Sequence, residues 1–286
     1  MARQIRSPSA EFSPSTATIY QAVIKVIDQV FVDTGNGRHL DIGSGDGRLL
    51  KLISDSYRLR QSACDYSSRF MKRPNLHVDT VDLNHERLPY PDAQFDLVTC
   101  VETIEHLENF REVFREIYRV LRPGGWAVIT TPNILNLRSR LRFLTFGFHN
   151  MFGPLAVRGQ KVHDTHGHIN PVGWFYLGHA LLKAGFSDLK LNIDHFQRRS
   201  MIGLTLLYLP IRLIGALALS RERRENIQSI TPENEFLVRE INTVDLLLGR
   251  TLIVAAHKTR QRENGNGRDG TGAPVQKRLA IDELRR

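Results

Sequence analysis

Glu102, Glu105 and His106 lie at i, i+3 and i+4. On a helical turn that spacing puts two carboxylates and an imidazole on one face. Such a set could bind a divalent ion through oxygen and nitrogen, or His106 could act as a general base. Downstream, His163, Asp164, His166 and His168 crowd into six residues. A histidine from this stretch could complete the set. The plain alternative is that the two glutamates are solvated and His106 only packs.

A second constellation lies earlier, in Leu40–Leu50 (LDIGSGDGRLL). Gly43, Gly45 and Gly47 alternate between an apolar strand and a helix start. Glycine permits positive φ and lets a ligand approach the backbone. The helix N-terminus offers free N–H groups to that ligand. A dinucleotide fingerprint would place its third glycine at position 48, which is Arg48. A ligand with a cationic amino-acid end instead gains from the Asp41 carboxylate and from carbonyls near Gly43 and Val101. Asp65 lies 24 residues after Asp41, where an acid can accept hydrogen bonds from both hydroxyls of a ribose. Asp82 could accept from an adenine amino group, with Leu83 offering its backbone N–H.

Elements of an α/β protein must position these residues. Ile19, Tyr20, Val23, Ile24, Ile27, Val30 and Phe31 recur at helical spacing. Strands are expected at Arg38–Ile42, ending at Cys64-Asp65, over His77–Leu83 and over Phe95–Val101. A strongly amphipathic helix follows, with Phe110, Val113, Phe114, Ile117, Tyr118 and Leu121 on one side. Arg122-Pro123-Gly124-Gly125 is read as its stop, and Trp126–Thr131 as a fifth strand. A helix over Pro171–Ala184 and strands at Asp188–Ile193 and Thr251–His257 complete the pattern. Alternating strands and helices predict a parallel sheet with helices on both faces.

The acid with G-x-G-x-G, the run LPYPDAQFDLV from Leu88, the E-x-x-E-H-L segment and the R-P-G-G turn resemble the class I S-adenosylmethionine (SAM)-dependent methyltransferases. The resemblance covers about Arg38–Asn133. It implies a Rossmann-like seven-stranded sheet flanked by helices, from which this chain departs by insertions after strand 5 and between strands 6 and 7. It implies SAM as cofactor, bound by Asp41, Gly43, Gly45, Asp65, Asp82, Leu83 and Val101. An E-x-x-E-H segment joined by a later histidine is similar to metal-dependent O-methyltransferases of quinone biosynthesis and of small RNA. That similarity implies His168, just before Ile169-Asn170-Pro171, as the later histidine, His106, Glu102 and His168 as catalytic candidates, and Glu102, Glu105, His106 and His168 as ligands of a divalent ion such as magnesium. The expected activity is methyl transfer to a hydroxyl of a glycan, a lipid-linked sugar or a small lipid. The alternatives are an RNA 2′-O-methyltransferase and a SAM-binding scaffold without turnover.

The chain has 286 residues and a formal net charge of +9. Residues 1–14 read as a disordered lead-in, 15–258 as the domain and 259–286 as a disordered basic tail. The N-terminus lacks the apolar run of a signal peptide. Cys64 and Cys100 sit in apolar runs with neither disulfide nor zinc spacing. Both observations predict a cytoplasmic protein. Residues 134–170 read as substrate-facing. Arg138, Arg140 and Arg142 form a basic strip only if extended, so nucleic acid is not the expected partner. Within 195–250, Met201–Leu219 is almost wholly apolar and has arginines at both ends. It suits contact with an anionic membrane surface. A hydrophobic lid or a homodimer surface is the other reading.

Overall fold

The computed structural model describes residues 14–155, 167–225 and 229–260. The expected disorder of 1–13 and 261–286 lies outside these residues, as do His163, Asp164 and His166. The elements run α1 (Pro14–Val30), β1 (Arg38–Ile42), α2 (Arg48–Ser56), β2 (Arg60–Asp65), β3 (Val78–Thr80), β4 (Phe95–Cys100), α3 (Phe110–Val120) and β5 (Leu121–Pro132). They continue as α4 (Leu137–Phe146), α5 (Trp174–Ala184), β6 (Leu189–Ile193), α6 (Met201–Glu225), α7 (Glu235–Glu240), α8 (Val244–Leu248) and β7 (Thr251–His257).

The seven strands form one sheet in the order β3-β2-β1-β4-β5-β7-β6. Strands β1 to β5 pair in parallel, and β7 enters antiparallel between β5 and β6. The chain reverses direction across the sheet between β1 and β4. A crevice opens at the carboxyl ends of the strands at such a point, and ligands bind there in α/β folds. Thr251–Ala256 is buried along its length because β7 is covered on both faces. That explains its unbroken apolar sequence.

One core cluster lies on each face. Phe110, Val113, Phe114, Ile117 and Val120 of α3 are buried with Trp174, Leu177 and Leu181 of α5. Each such side chain contributes roughly 1.5–3 kcal/mol relative to exposure. On the other face, Ile19, Val23, Val26 and Ile27 of α1 pack with Leu49 and Ile53 of α2 and with Leu97 and Val128.

Several boundaries differ from the periodicity. β3 ends at Thr80 rather than Leu83, because the Asp82 carboxylate accepts from the Asn84 N–H and turns the chain. The R-P-G-G segment ends α3 but lies inside β5. Leu121 pairs with Phe95 and Trp126 with Leu97, so residues 122–125 bulge out between them. α5 begins at Trp174, after Gly173, rather than at Pro171. Among the described residues the 195–250 insertion holds three α-helices, α6 to α8.

The turn carrying L-P-Y-P-D is pinned by Arg119. Its guanidinium donates to the Leu88 and Tyr90 carbonyls, to Asp92 and to both oxygens of Glu116. Burial opposes ionisation of Glu116, but the hydrogen bonds and charge of Arg119 win and hold its carboxyl below the usual range. Arg119→Ala leaves the buried Glu116 carboxylate with the Leu88 N–H as its remaining backbone donor. The expected loss is about 2–4 kcal/mol. A lower urea midpoint with unchanged ligand affinity of the folded fraction would report it.

Candidate active site

The glycine-rich loop leaves β1 with three residues in the left-handed region, Gly43, Gly45 and Gly47 at φ 72°, 50° and 79°. The Gly43 and Ser44 N–H groups donate to the Cys64 carbonyl. The Gly45 N–H donates to Asp65 Oδ2 at 2.8 Å and the Ser67 N–H to Oδ1 at 3.1 Å. Asp65 thus sits at the tip of β2 with its carboxylate locked against the loop. A Cβ on Gly43 would lie 2.2 Å from Thr103 Oγ1. Gly43→Ala therefore meets both strain and a clash. It is expected to cost about 1–3 kcal/mol of stability and to weaken ligand binding at the loop, read by thermal denaturation and calorimetry.

Asp41 is buried, and its Oδ1 accepts from the Thr99 hydroxyl at 2.6 Å. Thr99 has a single proton, so it must accept from His39 Nε2 at 2.8 Å. Burial keeps the His39 imidazole neutral, its pKa lowered to about 3. Burial likewise pushes the Asp41 carboxyl up to about 7, against the Thr99 hydrogen bond, with the Asp65 charge adding to the rise. A desolvated carboxylate of this kind gains from a cation placed beside it. Tyr20 of α1 reaches the same region. Burial and the charges of Asp41 and Asp46 hold its phenol protonated. Its helical spacing had marked it only as a core residue.

Beyond β4, Val101 offers its carbonyl at the rim, accepting from the Thr103 hydroxyl. Asp82 accepts from the Asn84 N–H and pairs with His85, so its carboxylate is engaged within its own turn. Leu83 packs half-buried against the main core cluster. Asp41, Gly43, Gly45, Asp65 and Val101 all lie at the carboxyl ends of β1, β2 and β4. Asp82 and Leu83 follow the end of β3.

The E-x-x-E-H segment does not form the expected helical face. Glu102 adopts φ 49°, and only Ile104–His106 form a short 3-10 turn. The left-handed backbone turns Glu102 toward β5. There the Thr130 hydroxyl accepts from the Glu102 N–H and donates to its Oε1, both at 2.9 Å. Burial raises the Glu102 carboxyl to about 7, while Thr130 and the Arg250 charge oppose the rise. Glu102 is therefore not part of the ligand cluster that its spacing predicts.

Glu105, His106 and His168 do come together. Their ligating atoms lie within 4.8 Å of one another. The backbone of 167–170 clamps the turn. The Ile169 and Asn170 N–H groups donate to the Glu105 carbonyl, Asn170 Nδ2 donates to the Leu107 carbonyl, and His106 Nδ1 donates to the Gly167 carbonyl. That last bond fixes the tautomer and turns Nε2 inward. The His106 and His168 rings meet edge to face with centroids 4.9 Å apart. Glu105 is fully buried, and neither carboxylate oxygen has a well-formed hydrogen bond. Burial and the Glu102 charge drive its carboxyl well above the usual range, with the nearby Thr131 hydroxyl a lesser opposing influence. Burial and His106 depress His168 to about 4. His168 Nδ1 also lacks a partner among the described residues. Orphaned buried donors and acceptors of this kind fit a bound cation.

Residues 40–129 match the family model of a methyltransferase domain. A probable SAM-dependent methyltransferase of Mycolicibacterium smegmatis is 37% identical over 97 residues, covering 33% of this chain and 37% of the relative. Over residues 40–129 the chain is thus similar to SAM-dependent methyltransferases. A ubiquinone biosynthesis O-methyltransferase of Bordetella avium is 26% identical to the chain over 160 residues, covering 50% of this chain and 66% of the relative. A 27-O-demethylrifamycin SV methyltransferase of Amycolatopsis mediterranei is 29% identical over 122 residues, 38% of this chain and 45% of that one. The chain thus spans under half the length of the first and third of these relatives. The fold of the methyltransferase domain matches a SAM-dependent methyltransferase from Archaeoglobus fulgidus, with TM-score 0.52, 18% identity and coverage of 85% of this chain and 94% of that one. The matched segment contains the loop, Asp65 and the 102–106 turn. It stops short of His168, α4 and α6.

Proposed function

We propose that the chain transfers the methyl group of SAM to a hydroxyl on a glycan, a lipid-linked sugar or a small lipid. The observation that carries this reading is the buried Glu105 carboxylate, without a well-formed hydrogen bond, beside two imidazoles and two residues after Thr103, which lies against Gly43 of the glycine loop. Methyl transfer from a sulfonium is an in-line displacement. The acceptor must be held in a near-attack pose, and a hydroxyl must also lose its proton. Asp41 and the Gly43 and Val101 carbonyls suit the cationic end of the donor. Asp65, held by Gly45 and Ser67, suits its ribose.

Glu105, His106 and His168 fit a divalent ion such as magnesium, which when bound would acidify an acceptor hydroxyl. The chain's own part is to fix the His106 tautomer through Gly167 and to exclude water with Phe152, which packs edge to face on His168. Without an ion, His106 Nε2 is the base that takes the hydroxyl proton as the carbon–oxygen bond forms.

The basic strip does not favour RNA. α4 is helical, so Arg138, Arg140 and Arg142 do not share a face. Arg140 donates to the Leu135 and Ile241 carbonyls and to Asn242, and Arg142 to carbonyls of Phe148, His149 and Phe152. The test is transfer of labelled methyl from SAM into a lipid and lipid-linked glycan extract and, in parallel, an RNA pool. Label that enters the lipid fraction and survives as an ether supports the reading. Label in RNA, or none in either, overturns it.

A further inference from the structure

The apolar stretch Met201–Leu219 lies in α6, a single helix of 25 residues, about 37 Å long. Apart from Thr205 and Arg212 the stretch is apolar around its circumference, and its two sides meet different surroundings. Leu204, Leu207, Tyr208 and Ile211 pack on Leu247 and Leu248 of α8 and on Leu137 of α4. On the opposite side, Ile202, Leu206, Leu209, Leu213 and Leu217 follow at i, i+4, i+7, i+11 and i+15, each 65–75% exposed. A row of five large apolar side chains in water is larger than soluble surfaces usually carry. The adjoining α4 exposes Leu141, Phe143, Leu144 and Phe146.

We infer that the outer face of α6, with α4 beside it, lies in the interfacial layer of an anionic lipid membrane. Length and composition alone would let this helix cross a bilayer. Its attachment argues for lying flat instead. Its start follows Gln197, whose N–H donates to the Leu248 carbonyl. Its middle packs on α8, and its end returns through the Arg223–Glu235 ion pair. Both ends and one whole side are therefore tied to the same domain. Pro210 lacks an N–H, and the Leu206 carbonyl it leaves without an intrahelical donor needs water, which the interface supplies and the hydrocarbon interior does not.

Charge selects the partner. Between Arg198 and Glu225 there are six arginines against two glutamates. Arg221 pairs with Glu225 and Arg223 with Glu235, whereas Arg198, Arg199, Arg212 and Arg224 form no ion pair among the described residues. Basic side chains at both ends of an apolar stripe match anionic head groups around an acyl layer. A second copy of the chain would bring like charges together at both ends. The inference stands on α6 and α4 alone, whichever acceptor is methylated.

The test is flotation of the full chain with vesicles of phosphatidylcholine, with and without phosphatidylglycerol. The wild type is expected to float with the anionic vesicles and to bind neutral ones more weakly. Leu206→Glu with Leu213→Glu should lower binding at least a hundredfold on both. Arg198→Glu with Arg199→Glu should lower it about thirtyfold on the anionic vesicles only. All four positions are exposed and lie outside the donor loop, so SAM binding measured on each variant confirms folding. A wild type that stays at the bottom of the gradient overturns the inference. So does flotation unchanged in the leucine variant. A dimer that the leucine variant converts to monomer, without any vesicle binding, assigns the surface to a second copy and also overturns it.

Discussion

Asp41→Asn is expected to stabilise the ligand-free protein and weaken SAM binding at the same time. In the free protein the Asp41 carboxyl titrates near 7 instead of 3.8, mainly because burial disfavours its charge. A raised carboxyl pKa means the folded state holds a proton that the unfolded state has released. Its contribution to stability is complete below about pH 4 and is lost as the pH rises toward 7. Asparagine keeps an acceptor for Thr99 and removes the charge, so the variant should gain about 2–4 kcal/mol at neutral pH. Thermal denaturation should show several degrees of increase. The wild type should lose stability between pH 4 and 7 more steeply than the variant. Affinity moves the other way, because the ammonium of SAM loses a charge-assisted partner worth about 1.5–3 kcal/mol, or roughly 10- to 100-fold. For the wild type, affinity should fall as pH drops below 7. A variant that is less stable and binds SAM normally would make Asp41 a packing residue only.

Glu105→Gln is the second. It removes a buried carboxyl that has no well-formed hydrogen bond and is held well above its ordinary range. Folding should therefore survive, and SAM affinity should change little, since the side chain faces His106 and His168 rather than the glycine loop. Methyl transfer should fall by roughly 10²–10⁴-fold. The division between an ion and a bare base is read by adding a chelator. Chelation should bring the wild type down to the level of the variant and leave the variant unchanged. If chelation does nothing to the wild type while His106→Ala abolishes transfer, the turn works through the imidazole alone. Transfer that is unaffected in Glu105→Gln removes the cluster from the chemistry.

Much of the frame follows from local rules that act over a few residues. Alternating glycines after an apolar strand require a turn with positive φ, and Gly43, Gly45 and Gly47 all adopt it. The apolar spacing of 110–120 demands a one-sided helix, and α3 buries that side. Seven strands, their sequence order and the family all followed from such signals, since they recur in any chain with the same local needs. The resemblance points to His168, just before Ile169-Asn170-Pro171, and among the described residues the fold sets it beside His106.

What spacing could not decide was the backbone between the spaced residues. The i, i+3, i+4 rule presumes a helix, but a left-handed Glu102 held by Thr130 breaks it and leaves Glu105 and His106 with His168. Thr130 is 28 positions away, so the contact exists only once β4 and β5 pair. Thr99, which links Asp41 to His39, is likewise a cross-strand neighbour of Asp41 with no mark in the local pattern. In the sequence alone, Met201–Leu219 read equally as lid, anchor or dimer surface. Only tertiary packing divides α6 into a side half-buried against α8 and a side open to its surroundings, because burial depends on what the rest of the chain brings against a residue and not on the residue itself.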